Sequence, residues 1–199
     1  MSLVQKILLI VAIVVVGLVV LVGVALTRWG GGKAHVGRAV RLPGAKVLVV
    51  YYSRSGTTAK VADAIAAGLG ADVEPIVDTA DRDGVAGFVR SLRDTMGKRP
   101  ATIKPLTVDP SKYELVIVGT PVWGNAASTP VRAFFAQYRA LPKVAFFITD
   151  GLSSHEVVFR DLESLAGQAP VATLGLAQGE VLAGQDAGRV TGFVASLRR

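Results

Sequence analysis

The feature that most constrains this chain is one strand–loop–helix unit. Lys46-Val47-Leu48-Val49-Val50 is largely apolar and rich in β-branched residues. A run of this kind, without polar alternation, suits a parallel strand buried on both faces. Ala59 to Leu69 follows as an amphipathic helix, with Val61, Ala62, Ile65 and Leu69 on one face. Between them lies Tyr51-Tyr52-Ser53-Arg54-Ser55-Gly56-Thr57-Thr58. A hydroxyl-rich loop at a helix N-terminus has two readings, an ordinary capped turn or an anion site. The anion reading has a physical basis. The first helical N–H groups lack intrahelical partners, and the helix dipole favours negative charge there. Gly56 admits close backbone approach, and the hydroxyls of Ser53, Ser55, Thr57 and Thr58 can donate to phosphate oxygens.

Strand and helix patterns alternate to the end of the chain. Asp72 to Val77 reads as a short second strand, and Pro75 makes it an edge because proline cannot donate to a ladder. Gly84 to Met96 carries Val85, Phe88, Val89, Leu92 and Met96 at helical spacing. Glu114 to Gly119 is a buried third strand, followed by a loop from Thr120 to Pro130 and a helix from Val131 to Tyr138. Pro130 suits the first helical turn. Lys143 to Ile148 is a fourth strand, and Thr149 to Ser154 a third loop. Ser153 and Glu156 have capping-box spacing before a helix with Val157, Val158, Leu162 and Leu165. Val171 to Leu174 is a fifth strand and Gln185 to Leu197 a last helix. The fold class is therefore α/β: a three-layer, doubly wound, parallel five-stranded sheet in the order 2-1-3-4-5. Ligands in such sheets sit at the carboxyl ends of the strands, near the topological switch point between strands 1 and 3. Loops 53–58 and 120–127 follow those two strands, and loop 149–154 is their neighbour.

The spacings G-x-x-x-x-G-K-[ST] and G-x-G-x-x-G do not occur in the first loop. A site of hydroxyls and backbone N–H groups, with no obligatory cation, suits a phosphate monoester. The pattern S-x-S-G-x-T over Ser53 to Thr58 resembles the phosphate loop of the flavodoxins. Gly119-Thr120-Pro121-Val122-Trp123-Gly124 resembles the loop after their third strand. The resemblance spans roughly residues 46 to 198. It implies FMN, bound noncovalently by Ser53, Arg54, Ser55, Gly56, Thr57 and Thr58 in the first loop. Thr120, Pro121, Val122, Trp123, Gly124 and Asn125 follow in the second, and Asp150 and Gly151 in the third. Trp123 would stack on the isoalloxazine, and the Gly124 backbone would lie near N5. The alternative for Trp123 is packing onto its own domain. The third loop, Thr149-Asp150-Gly151-Leu152, departs from the aromatic or Gly-rich turn of many flavodoxins. Leu152 would cover the ring less fully, and Asp150 either bonds the flavin or caps the turn. No long insertion interrupts the last strand, as in short-chain flavodoxins. His155 reads as a surface residue of a first helical turn.

The start of the chain is different in kind. Ile7 to Leu26 is twenty residues without a polar side chain. As a helix it would span about 30 Å, the hydrocarbon core of a bilayer. A cleaved signal peptide is the competing reading, but its apolar region is roughly 7–15 residues, and Ala25-Leu26-Thr27-Arg28-Trp29 is a poor cleavage site. An uncleaved anchor fits better, with Trp29 at the interface. Lys6 precedes the run, whereas Arg28, Lys33, Arg38, Arg41 and Lys46 follow it. The positive-inside rule then places the remainder in the cytoplasm, on a single-pass cell-membrane protein. The net charge of +7 is largely juxtamembrane: the first acidic residue is Asp63, and residues 43–199 hold 17 basic and 15 acidic groups. That distribution is a topology signal, not a nucleic-acid footprint.

These readings divide the chain into a transmembrane anchor (1–28), a Gly-rich basic linker (29–45) and a flavodoxin-like domain (46–199). The linker is expected to be flexible and to contain no packed structure, with His35 in solvent. The absence of cysteine excludes thiol chemistry and cysteine-ligated metal, and no side chain marks itself as a catalyst or metal ligand. The leading expectation is a membrane-anchored FMN protein that transfers electrons at the cytoplasmic face with redox partner proteins. The alternatives are an FMN-dependent quinone or porphyrinogen oxidoreductase acting on quinone-like small molecules, and an FMN-free interaction module.

Overall fold

The computed structural model describes residues 5, 35, 37–80, 86, 87, 89, 90, 93, 94, 97, 101–151 and 155–198. The apolar run at residues 7–26, Trp29, Leu152 and the Ser153 cap lie outside the described residues. No helix among the described residues is long and apolar enough to cross a membrane.

The elements are β1 (Val47–Tyr51), α1 (Thr57–Leu69), β2 (Asp72–Pro75), β3 (Leu115–Trp123), β4 (Ala126–Ala127), α2 (Thr129–Gln137), β5 (Lys143–Asp150), α3 (His155–Ala166), β6 (Thr173–Ala177), α4 (Gln178–Ala183) and α5 (Ala187–Leu197). Of the segment expected as a helix over 84–96, residues 86, 87, 89, 90, 93 and 94 are described, and all are helical.

The main strands are parallel and run in the order β2-β1-β3-β5-β6. That is the expected order 2-1-3-4-5 with one correction, a sixth strand. Short β4 pairs antiparallel with the end of β3. The expected loop over 120–127 is therefore mostly strand. β3 continues to Trp123, turns through Gly124 and Asn125, and returns as β4. Both turn residues have positive φ, 58° and 60°. This is the conformation a two-residue hairpin demands, and glycine and asparagine tolerate it.

Alternation along the strands divides the core into two layers. Val49, Tyr51, Ile117, Ala145 and Phe147 face α1 and α5, where Val61, Ile65, Val190 and Phe193 meet them. Leu48, Val50, Tyr52, Val116, Val118, Phe146 and Ile148 face α2 and α3, against Val131, Phe134, Val158 and Leu162. Burial on both faces explains why β1, β3 and β5 read as continuous apolar runs. Gly119 is a packing requirement. A Cβ there would come within 2.0 Å of the Phe147 ring across the β3–β5 pairing.

Two boundaries move. Val171 lies outside the last strand and is 55% exposed, while Thr173 to Ala177 pair with β5. The terminal helix expected over Gln185 to Leu197 is α5, which starts two residues later, and a further helix, α4, precedes it and ends at Gly184 at φ 71°.

The stretch expected as an unpacked linker is also corrected. Val40 bridges β2 antiparallel at Val73, with both backbone bonds at 2.9 Å. The Leu42 N–H donates to Asp72 Oδ1 at 2.7 Å. The Arg41 guanidinium is paired with the buried Glu74 carboxylate and donates to the Val73 carbonyl at 2.6 Å. Asp72 also accepts from the Tyr113 hydroxyl at 2.6 Å, and Glu74 from Thr107 N at 2.8 Å. The rim of β2 carries two carboxylates, and this preceding segment supplies the donors that let them be buried. Tyr113 is pushed up to about 12 by burial and by its bond to Asp72.

Candidate functional site

A cleft of about 170 Å³ opens at the carboxyl ends of β1, β3 and β5. This is the switch-point position for a ligand in a doubly wound sheet. One wall comes from the first loop, through Arg54, Ser55, Thr57 and Thr58. The opposite wall comes from the end of β3, through Pro121, Val122 and Trp123. Thr149, Asp150, Gly151 and Gln178 complete it.

The first wall is shaped by the backbone. Gly56 precedes α1 at φ 90°, a conformation that L side chains rarely adopt. Its N–H donates to Ser53 Oγ at 3.1 Å, which closes the loop on itself. Among the described residues no side chain caps α1, which leaves its first N–H groups for a ligand. Thr58 is buried, and its hydroxyl lies 2.8 Å from Thr149 Oγ1. Ser55 Oγ and Thr57 Oγ1 are 3.3 Å apart. Arg54 is only 7% exposed, and burial pulls its pKa down from the usual arginine value. His35 lies over this wall, its N–H donating to the Arg54 carbonyl at 2.7 Å and its ring beside Gly56. Its side chain is exposed as expected, but its backbone is docked.

The second wall is a hairpin held by side chains. Thr120 is fully buried. Its hydroxyl accepts from Ser128 N at 3.0 Å and lies 2.9 Å from Ser128 Oγ, which ties the two arms together. Asp161 of α3 accepts from Ala127 N at 3.1 Å and from Arg132 of α2 at 2.5 and 2.7 Å. Trp123 is half-buried and packs edge-to-face with Tyr52, with ring centroids 5.7 Å apart. Trp123 thus rests on its own domain, the alternative weighed for it, and it also lines the cleft.

The structure therefore brings together Arg54, Ser55, Thr57, Thr58, Pro121, Val122, Trp123, Asp150 and Gly151. Ser53 and Gly56 shape the loop, Thr120 braces the hairpin, and Gly124 and Asn125 form its turn; these five do not line the cleft. Thr149 and Gln178 were missed. Thr149 could have been found as the strand-end neighbour of Asp150. Gln178 had no signal, because its position depends on where β6 ends. Asp150 is buried in the cleft wall, with Oδ1 3.1 Å from His155 Nε2. His155 is thus partnered within the site, beyond its reading as a plain surface residue.

The donor set fits FMN. Uncapped N–H groups and three hydroxyls suit a phosphate monoester, and an indole suits a flat aromatic system. The cleft is smaller than the roughly 300–1,000 Å³ of ordinary ligand pockets. Its walls suit a phosphate end and one flat face, not a fully enclosed ligand.

The sequence profile of the Flavodoxin family matches residues 46–191. The chain belongs to the flavodoxin family. A flavoprotein from Lactobacillus acidophilus NCFM in complex with FMN is 26% identical, with a TM-score of 0.56, over 70% of this chain and 98% of that one. The apo-form of the flavoprotein from the same organism matches at 26% identity and a TM-score of 0.54, covering 67% and 91%. A flavoprotein from Bacteroides eggerthii DSM 20697 is 25% identical, with a TM-score of 0.57, over 72% and 97%. No curated protein matches the sequence significantly.

Proposed function

We propose that this protein binds FMN noncovalently in the cleft and carries electrons between redox partner proteins, tethered at the cytoplasmic face of the membrane by residues 7–26. The observation that carries the reading is a convergence. An uncapped helix start, hydroxyls of Ser55, Thr57 and Thr58, and the Trp123 indole meet at the switch point of a flavodoxin-family sheet.

The first N–H groups of α1 and the three hydroxyls would hold the phosphate, and Arg54 contributes positive charge. Trp123, Pro121 and Val122 would hold the ring. Bound FMN supplies the electron-transfer chemistry, and the protein supplies binding, orientation and electrostatics. A cleft this small supports exchange of electrons with a docked protein over enclosure of a second substrate. The apolar run and the basic residues after it support the tether and its orientation.

The test is the visible absorption of the full-length chain, purified in detergent and supplied with FMN. A yellow chromophore released as FMN on denaturation, and lost on combining Ser55→Ala, Thr58→Val and Trp123→Ala, is expected. A folded, colourless protein overturns the cofactor reading. For the tether, the chain should remain in membranes after alkaline carbonate washing. Release into the supernatant would overturn it.

A further inference from the structure

Resting on that reading, we infer that His155 positions the Asp150 carboxylate and that the pair exchanges a proton with solvent as the cleft gains and loses an electron. Asp150 lines the cleft and is buried. His155 is the first residue of α3, and its side chain is 36% exposed. One residue of the pair faces the ligand site and the other faces water, joined by the 3.1 Å contact between Nε2 and Oδ1.

The imidazole occupies a built seat. Gly175 of β6 lies beneath it, where a Cβ would fall 2.3 Å from Nδ1. Any other residue at 175 would displace the ring. Phe159 meets it edge-on, with centroids 6.5 Å apart. The charged groups around it come from three further elements. Asp150 stands on β5. The Glu180 carboxylate of α4 feels the His155 charge and is held by Ala177 N at 2.8 Å. Arg189 of α5 engages Glu180 at 3.0 Å. On α3 itself, Glu156 and Arg160 are exposed and 4.0 Å apart. Two carboxylates from different elements thus stand near the imidazole, and Arg189 engages one of them.

Neutral His155 donates Nε2–H to Asp150, which leaves Nδ1 to take the second proton. When a reduced electron-transfer protein delivers one electron to the cleft, the added negative charge favours that protonation. Nδ1 then binds one proton from bulk water, and the imidazolium balances the electron. The proton returns to water when the electron leaves. The buried carboxylate transmits the charge, and the histidine answers it.

The chain contains two histidines, so its imidazole Cε1–H signals are two, and His35 serves as the internal control. NMR titration of the full-length chain in detergent is the experiment. In the apo-protein, Asp150→Asn should change the pH dependence of the His155 Cε1–H signal and leave that of His35 as it was. Reduction of bound FMN should raise the His155 midpoint in the unmodified chain and less so in Asp150→Asn. The plot of FMN midpoint potential against pH should lose one inflection in His155→Gln and also in His155→Asn. An unmoved His155 in apo Asp150→Asn overturns the pair. A potential profile unchanged in both His155 variants overturns the proton exchange. Failure of FMN to bind overturns the functional reading and the exchange with it, while the apo titration still decides the pair.

Discussion

The two walls of the cleft hold their shape by different means. The wall from Ser53 to Thr58 is set by backbone conformation, with Gly56 at φ 90° and Ser53 Oγ accepting from the Gly56 N–H. The hairpin wall is set by side chains from elsewhere, with Asp161 and Ser128 bracing its return arm and Tyr52 supporting Trp123. The difference separates two tasks. A phosphate is met by fixed N–H groups whose positions leave little to adjust. A ring is met by an indole on a lever, whose position depends on three neighbouring elements. Substitutions in the first wall should therefore act where they are made. Those that damage the second can lie far from any ligand.

The largest test of this contrast is Asp161→Ala. It frees the hairpin arm and leaves Arg132 half-buried without its carboxylate. A stability loss of about 2–3 kcal/mol is expected by urea denaturation. Quenching of Trp123 fluorescence by iodide should rise at the same time. Loss of stability without greater quenching would show that the hairpin does not need the brace.

Gly56→Ala comes next. Forcing a Cβ into this conformation costs about 1–2 kcal/mol, and FMN affinity should fall at least about ten-fold. The Trp123 fluorescence of the apo-protein should not change. Calorimetric titration with inorganic phosphate and with FMN should show the same proportional loss, which places the defect at the phosphate end.

Trp123→Ala should reverse that signature. Loss of a stacking partner worth up to about 1.5 kcal/mol lowers FMN affinity roughly ten-fold and leaves phosphate binding intact. Trp123→Phe should recover most of it. Equal weakening of phosphate by Trp123→Ala would mean the two walls are not independent.

The smallest effect at neutral pH concerns the foot of the first wall. Burial, with the charge of Asp63, pushes the Tyr51 hydroxyl up to about 12. The folded state therefore keeps a proton that the unfolded chain loses near pH 10. The stabilising contribution is complete below about pH 10 and fades as pH rises towards 12. Melting temperatures followed between pH 8 and 12 should fall less in Tyr51→Phe than in the parent chain.

Much of the fold was legible because burial on both faces writes itself as uninterrupted Val, Ile and Phe. β1, β3 and β5 were found from this alone, and Pro75 marked β2 as the rim. The strand-3 wall was misread as a loop. Thr120 and Pro121 look like turn residues, but the strand continues through them until Gly124 and Asn125 permit reversal. Four of the first loop's six residues line the cleft, and their division of labour was not readable. Whether Ser53 faces the cleft or closes the loop depends on one hydrogen bond. The pairing of Asp150 with His155 was equally hidden, because its geometry is fixed by Gly175 on another strand.

The contact between Val40 and Val73 has a practical consequence for where the folded unit begins. The family match starts at residue 46, but the donors that neutralise the β2 rim lie before it, at Arg41 and Leu42. A fragment trimmed to the family boundary would bare a strand edge and take from Asp72 and Glu74 the donors at Leu42 and Arg41, inviting edge-to-edge association between copies. The shortest well-behaved soluble fragment should therefore start ahead of Gly37. The segment that reads as a leash is also the hem that keeps the sheet from fraying.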